Sequence, residues 1–490
     1  MDKKKKINFL DIIKNNFLKF SDKTFLISGE KNYSYHEFYR LCIKFKNYLI
    51  NNSKNKHPIV CIYETKKFFD YVAMIGTLMA GGHYVPINKQ TPIEKINLII
   101  SSTEANFFSS AESLDPILKK TNINLHRISP KKIEKIKKRK NKNYKNSDLA
   151  YILFTSGTTG KPKGVIISKK NLNYYLSWLT NFSKLNPKDN ISQFISISFD
   201  VSVCDFYLAI CKGSKLFVPN KIDILFPARM IKKNKISYLV CTPSLIDHID
   251  NSKELNSTNF KNVRTIFFCG EPLFENQVKK ILKANKKIQI VNAYGPTETT
   301  VSVTYCMINN KNFRTLSKNT MSIGKTIKNS HIILVDENLN RNYTKGEILI
   351  GGKQLSKGYL KQEEETKKRF IYLNKIRYFK TGDFAKIYKK NLFFVKRIDD
   401  QIKFRGHRIE LNEINHYLRL FGFNNVFTCV HKDQIISFIQ SFRVSENKIK
   451  NYLKKKLEEY KIPSNFIFLK KFPINKSGKV DAKIIKLLPR

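Results

Sequence analysis

A continuously apolar run, LAYILF (149–154), leads without a break into TSGTTGKPKG (155–164). Six apolar residues in a row read as a buried strand. The ten that follow hold three glycines, four hydroxyls and two lysines. Glycine lets backbone N–H groups converge on an anion, hydroxyls add donors, and lysine adds charge, so the segment is suited to phosphate. It is not the common P-loop, which needs GxxxxGK[ST]; Gly157 to Gly160 is too short, and Pro162 stands where Ser or Thr would bind magnesium. A strand feeding such a loop belongs to a layered α/β chain, and the flanking patterns agree.

Before it, a helix opens near Ser34 with Glu37 three residues on, a capping box. A strand at 59–63, a helix ending at Gly81-Gly82 and a strand at 84–87 follow, the order of a doubly wound sheet. The lysine-rich stretch 131–142 reads as a solvated linker. After the loop, 171–182 reads as helix, 194–199 as strand, and residues 199–202 as the start of another apolar helix. Asp200 at that junction is either a helix cap or the counter-ion of a buried amine. Strands at 238–241, 265–269 and 288–294 follow, the last running into GPTE (295–298). Strand C-termini bearing an aromatic and a carboxylate are where open α/β sheets bind ligands. Tyr294 is thus a candidate to stack on a base and Glu298 to hold a metal, against the plain alternative of a Gly-Pro turn. From about 323 the strands shorten and alternate, giving a β-rich subdomain to about 398, with Thr381-Gly-Asp383 expected on a turn. The remainder reads as a small α+β module with one strand, two amphipathic helices and a basic tail containing Lys479.

The 490 residues carry 90 basic against 39 acidic side chains, a net charge of +51, which raises nucleic acid as a partner. The lysines are spread evenly and no nucleic-acid module is recognisable, so no nucleic acid is expected. Eight cysteines without CxxC pairs, no secretory signal and no apolar run long enough for a bilayer point to a reducing cytoplasm and no transmembrane segment.

Together with LMAGGHYVPIN (78–88), FDVS (199–202), NAYGPTE (292–298), GEILIGGKQLSKGYL (346–360), YFKTGD (378–383), RIDDQIKFRGHRIELNEI (397–414) and SGKVD (477–481), the chain resembles the adenylate-forming superfamily, specifically its amino-acid adenylation enzymes, over nearly its whole length. The resemblance implies an N-terminal adenylation core (1–398) and a mobile C-terminal domain (399–490) hinged at Asp399. It implies ATP and Mg2+ as cofactors, and two half-reactions: an amino-acid carboxylate attacks ATP to give an aminoacyl adenylate, and the acyl group then passes to a carrier-protein phosphopantetheine.

By the same resemblance Thr155, Ser156, Gly157, Thr158, Thr159, Gly160 and Lys163 hold phosphates. Tyr294 stacks on adenine, Asn292 and the Gly270-Glu271-Pro272 backbone frame the base, Ala293, Gly295 and Thr297 also belong to the nucleotide site, and Asp383 with Arg397 holds the ribose. Glu298 binds magnesium, Lys479 bridges substrate carboxylate and α-phosphate, and Asp200 pairs the substrate ammonium. Val201, Cys204, Cys241, Cys269, Ala293, Val301 and Ser302 wall the substrate pocket. Two departures, Lys396 for glycine and Ser477 for asparagine, remove no charged catalytic group. The look is nearest to D-alanine–carrier-protein ligases, with D-alanine the lead substrate, although Cys204 would open the pocket to a bulkier acid. The expected partners are a free amino acid and a separate, acidic, phosphopantetheinylated carrier protein, with the ligase a monomer. An acyl- or aryl-CoA ligase is the alternative, and a basic nucleic-acid-binding protein a remote one.

Overall fold

A computed structural model describes residues 8–53, 57–112, 125–136, 146–157, 161–431, 434–441 and 444–473. The architecture is mixed α/β, built on two large sheets. One runs, in spatial order, through strands Lys325–Thr326, Thr304–Ile308, Gln289–Tyr294, Thr265–Phe268, Tyr238–Cys241, Asn190–Gln193, Lys215–Val218, Thr24–Ser28 and Lys31–Ser34, with a parallel centre and antiparallel edges. The other runs His126–Ile128, Phe107–Ser109, Ile59–Tyr63, His83–Ile87, Leu149–Thr155 and Lys163–Ser168, parallel except for the last pair. Helices Phe68–Met79 and Ser202–Lys212 are buried on nearly every side. One apolar cluster joins them to both sheets through residues such as Leu26, Val60, Tyr84, Tyr151, Phe206 and Val240. Buried parallel strands need no polar face, which is why their sequences are unbroken apolar runs.

A third sheet, antiparallel, comprises Ser330–Val335, Arg341–Asn342, Lys345–Gly352, Phe370–Leu373, Ile376–Tyr388 and Asn391–Arg397. Beyond it lie a hairpin, Gln401–Phe404 with His407–Glu410, and a three-stranded sheet, Val426–His431, Gln434–Gln440 and Asn465–Leu469, backed by helices Leu411–Leu420 and Glu446–Lys454. The sequence suggested one strand here; the alternation was too short to separate the others.

Three local expectations are corrected. Residues 194–199 do not form a strand, because the buried Glu64 carboxylate accepts from Ser196 Oγ and from the Ile197 N–H, drawing the backbone into a turn. Part of the lysine-rich stretch is helical, Pro130–Glu134, with Glu134 paired to Arg40 and Lys44; residues 137–145 lie outside the described set. Thr381-Gly-Asp383 sits within strand Ile376–Tyr388, not on a turn; Gly382 takes a left-handed φ of 72° and kinks the strand in place. Ser34 caps helix Tyr35–Asn52 by accepting from the Glu37 N–H, the forward half of the expected capping box.

Candidate active site

Several strand ends converge on one cleft of ≈ 1970 Å³, lined on one side by Ser196, Thr242 and Glu271 and on the other by Lys403, Gly406 and His407. The loop after Thr155 is the tip of an antiparallel hairpin in which Thr155 faces Lys163. Thr158, Thr159 and Gly160 lie outside the described residues. The root of the hairpin is fastened from two directions. Lys163 Nζ pairs with Glu365 Oε1 at 2.6 Å, and Ser156 Oγ donates to the Arg408 carbonyl at 3.0 Å.

Glu298, on the turn Thr297–Thr299, is 1% exposed. Its oxygens accept from Arg408 Nη1 at 2.9 Å and Tyr359 Oη at 2.8 Å. Burial pushes its carboxyl up, but the Arg408 charge and hydrogen bond outweigh that and hold it below the ordinary carboxylate range. Thr300 and Val301 follow with φ of 59° and 70°, a conformation that a β-branched residue rarely adopts. Gln354 holds them there: its Nε2 lies within 3.0–3.4 Å of the carbonyls of Thr299, Thr300 and Ser302, while Thr300 Oγ1 donates to the Gln354 backbone carbonyl at 2.7 Å. Strain of this kind persists where the surroundings over-determine it, most often at ligand sites.

Asp200 makes no cap bond to the helix it precedes, so the capping alternative falls away. Burial raises its carboxyl to about 6, against the hydrogen bond from Thr297 and the charge of Lys403. Of the residues expected beside it, Val201, Cys204, Cys269, Val301 and Ser302 are all buried, and Cys241 lies where strand Tyr238–Cys241 meets the cleft. Burial pushes the Cys269 thiol up to about 12 and Cys204 and Cys241 well above the usual thiol range. Thiols held this firmly protonated are poor nucleophiles. All eight cysteines of the chain are buried and outside disulfides.

Asp383 accepts from Tyr294 Oη and from Arg397 Nη1, each at 2.6 Å, and Arg397 forms a two-pronged pair with Asp399 at 2.7 Å. The strand pairing that puts Asp383 opposite Arg397 sets this chain of contacts. Asn292 uses its amide to donate to the Ser322 carbonyl at 2.9 Å, while Ala293 beside it is buried in the strand. Gly270 has a φ of 101°, and Glu271 after it accepts from the N–H groups of Ser244 and Gly406. Pro272 lines the cleft, and Gly295 packs against Ser302 too closely for any Cβ. Lys479 lies outside the described residues.

Sequence reasoning passed over Arg408, Tyr359, Gln354 and Lys403, whose ammonium lies 5.8 Å from the Tyr294 ring centre. All four stand inside the quoted motifs; only the fold reveals which of them turn inward. Among the described residues no cluster of three metal-binding side chains occurs, and no helix is long and apolar enough to cross a membrane.

A model of the AMP-binding enzymes matches residues 13–360. Bacitracin synthase 3 of Bacillus licheniformis is 32% identical over 97% of this chain, which spans 8% of that protein's length. The D-alanine–D-alanyl carrier protein ligase of Staphylococcus epidermidis is 31% identical over 88% of this chain and 89% of its own. Among solved structures, the Vibrio cholerae adenylation domain AlmE, in complex with glycyl-adenosine-5'-phosphate, has the same fold (TM-score 0.88, 22% identity, 98% and 97% of the two chains). With the family model covering well over half its residues, the chain belongs to the AMP-binding enzyme family.

Proposed function

We propose that the chain activates a free α-amino acid, D-alanine being the lead, with ATP, and passes it to the phosphopantetheine thiol of a separate carrier protein. One observation carries the amino-acid part: desolvation raises the Asp200 carboxyl to about 6 in spite of the Lys403 and Arg408 charges nearby, so an α-ammonium brought beside it is a natural partner for its charge. The names of similar proteins, a D-alanine–D-alanyl carrier protein ligase and a domain holding glycyl-adenosine-5'-phosphate, fit a small substrate.

In the first half-reaction the substrate carboxylate attacks the α-phosphorus and pyrophosphate leaves. The work is positioning and charge neutralisation. Ser156, Gly157 and Lys163 anchor the leaving pyrophosphate, Tyr294 and the 270–272 backbone take the base, and Asp383 and Arg397 the ribose. Lys479 is assigned the carboxylate and α-phosphate. Magnesium, when bound, neutralises phosphate charge and needs as little as one carboxylate besides the phosphates. Glu298 has that chemistry, but here both its oxygens are engaged by Arg408 and Tyr359, so it fits the ion once Arg408 withdraws. In the second half-reaction the carrier thiol attacks the acyl carbonyl, losing its proton, and AMP departs. The pose, with the 401–410 hairpin inserted at Glu271, Glu298 and Ser156, suits this step. Division into a 1–398 core and a 399–490 module turning about Asp399 lets the hairpin and Lys479 alternate.

Amino-acid-dependent exchange between ATP and pyrophosphate, surveyed over D- and L-amino acids, tests the reading. D-alanine should drive it, and Asp200→Ala and Lys479→Ala should each abolish most of it. Exchange driven by short-chain or aryl acids and by no amino acid would replace this reading with a CoA ligase.

A further inference from the structure

Small wall residues ordinarily leave room for a large substrate, and Cys204, a small residue that the resemblance assigns to the substrate wall, lies within the field of Asp200. The room is taken. Tyr175, on helix Lys169–Phe182, places its hydroxyl 2.9 Å from Cys204 Sγ, and Ser302 Oγ donates to the same oxygen at 3.2 Å. One phenol thus ties together three elements: its own helix, the helix that follows Asp200, and the strained loop after Glu298. All three residues are fully buried.

The ring cannot swing away. Trp178, one turn along the same helix, lies 5.7 Å from it, and Trp178 in turn stacks on Phe182 at 5.0 Å and meets Tyr305 at 5.5 Å. Packed aromatic layers of this density do not yield to a substrate methylene without displacing several rings. The strained loop is held from another side too, with Cys269 Sγ against the Val301 carbonyl at 3.9 Å. With Ser302 donating to it and Cys204 beside it, the Tyr175 hydroxyl is satisfied and offers no partner to a polar substrate side chain. Tyr151 is different: its buried hydroxyl has no partner and lies within the field of both Asp200 and Cys204, a donor left over at the charged end of the pocket.

We propose that Tyr175 is the specificity-determining residue of the amino-acid pocket: its hydroxyl fills the space behind Cys204 and restricts the substrate to a side chain no larger than a methyl group. The inference rests on the assignment of Asp200 to the substrate ammonium and narrows it to glycine and alanine. A closed apolar pocket discriminates one methylene by roughly 10–200-fold.

The test is ATP–pyrophosphate exchange by the full chain with glycine, D-alanine, L-alanine, 2-aminobutyrate, valine and leucine. The wild type should lose at least about tenfold in kcat/KM from alanine to 2-aminobutyrate, and again to valine. Tyr175→Ala should raise the leucine-to-alanine ratio about tenfold or more. Tyr175→Phe keeps the ring and its packing, removes one oxygen, and should raise the 2-aminobutyrate-to-alanine ratio several-fold; it reads the same quantity if the alanine variant does not fold. Wild-type activation of leucine as good as that of alanine would overturn the proposal. So would variants that lower exchange with every amino acid in proportion, because a purely structural role changes rates and not ratios. Exchange with no amino acid at all would remove the Asp200 assignment and this proposal with it, an outcome distinct from loss of size selectivity alone.

Discussion

Asp200 is held charged at neutral pH against the pull of its own burial. Its carboxyl titrates near 6 in the folded chain, above the usual value of an unfolded aspartate. Between those values the folded state binds the extra proton, so this residue's contribution to stability falls as pH rises to about 6 and stays lost above it. Asp200→Asn should therefore stabilise the ligand-free protein at pH 7, by roughly 1–3 kcal/mol, and the gain should vanish near pH 4. Thermal unfolding at the two pH values checks this. The same substitution should remove amino-acid-dependent exchange. In the wild type, kcat/KM for the amino acid should fall about tenfold per unit below pH 6, because a neutral Asp200 has nothing to offer an ammonium. A flat profile between pH 5 and 7 would take Asp200 out of substrate binding.

The hairpin Gln401–Phe404 and His407–Glu410 shows how an element can be legible and its use hidden. Its sequence sits in a motif, yet nothing in RGHRIE says that the Gly406 N–H meets Glu271 while Arg408 reaches Glu298. Gly406 has a φ of 80°, and a Cβ there would stand 3.2 Å from Thr242 Cγ2. Gly406→Ala combines left-handed strain of ~1–2 kcal/mol, which stays with the hairpin turn, with that contact, which is relieved when the hairpin leaves the cleft. Acyl transfer to a carrier thiol should drop about tenfold or more while pyrophosphate exchange changes far less; equal losses in both would count against the hairpin's role in transfer. The same distinction runs through the fold. Strands such as Ile59–Tyr63 were readable because burial on both faces leaves an unbroken apolar code. Residues 194–199 looked alike but were bent by Glu64, 130 residues earlier, a contact no local pattern records. Asp200 was visible as a charge between an apolar strand pattern and an apolar helix, and Glu298 as a carboxylate at the end of an apolar strand. Tyr175 was not, because an aromatic on an apolar helix face looks like core until its hydroxyl is located.

At the scale of the whole chain, the C-terminal segment is fastened by charges sealed from water. Lys95 pairs with Glu413 at 2.7 Å and Glu458 at 3.0 Å, and Lys461 with the same two carboxylates at 2.9 and 2.7 Å. No member of the four is more than 7% exposed. Burial pushes the Glu458 carboxyl up, but the two lysines outweigh it and hold it well below its ordinary range. Removing one partner from such a set strands an uncompensated charge, which costs about 3–5 kcal/mol. Lys95→Met should lower the melting temperature of the C-terminal transition or release that segment to protease, while the double change Lys95→Met with Glu413→Gln should recover part of the loss; an unchanged melting curve would mean the cluster opens readily to water. A different property follows from the aromatic layer behind Tyr175. Trp178 is the only tryptophan in 490 residues. Its emission therefore comes from one place, a single phenol away from the amino-acid pocket. The native protein carries its own optical reporter, and titrating glycine or alanine should shift its colour or brightness with no label attached.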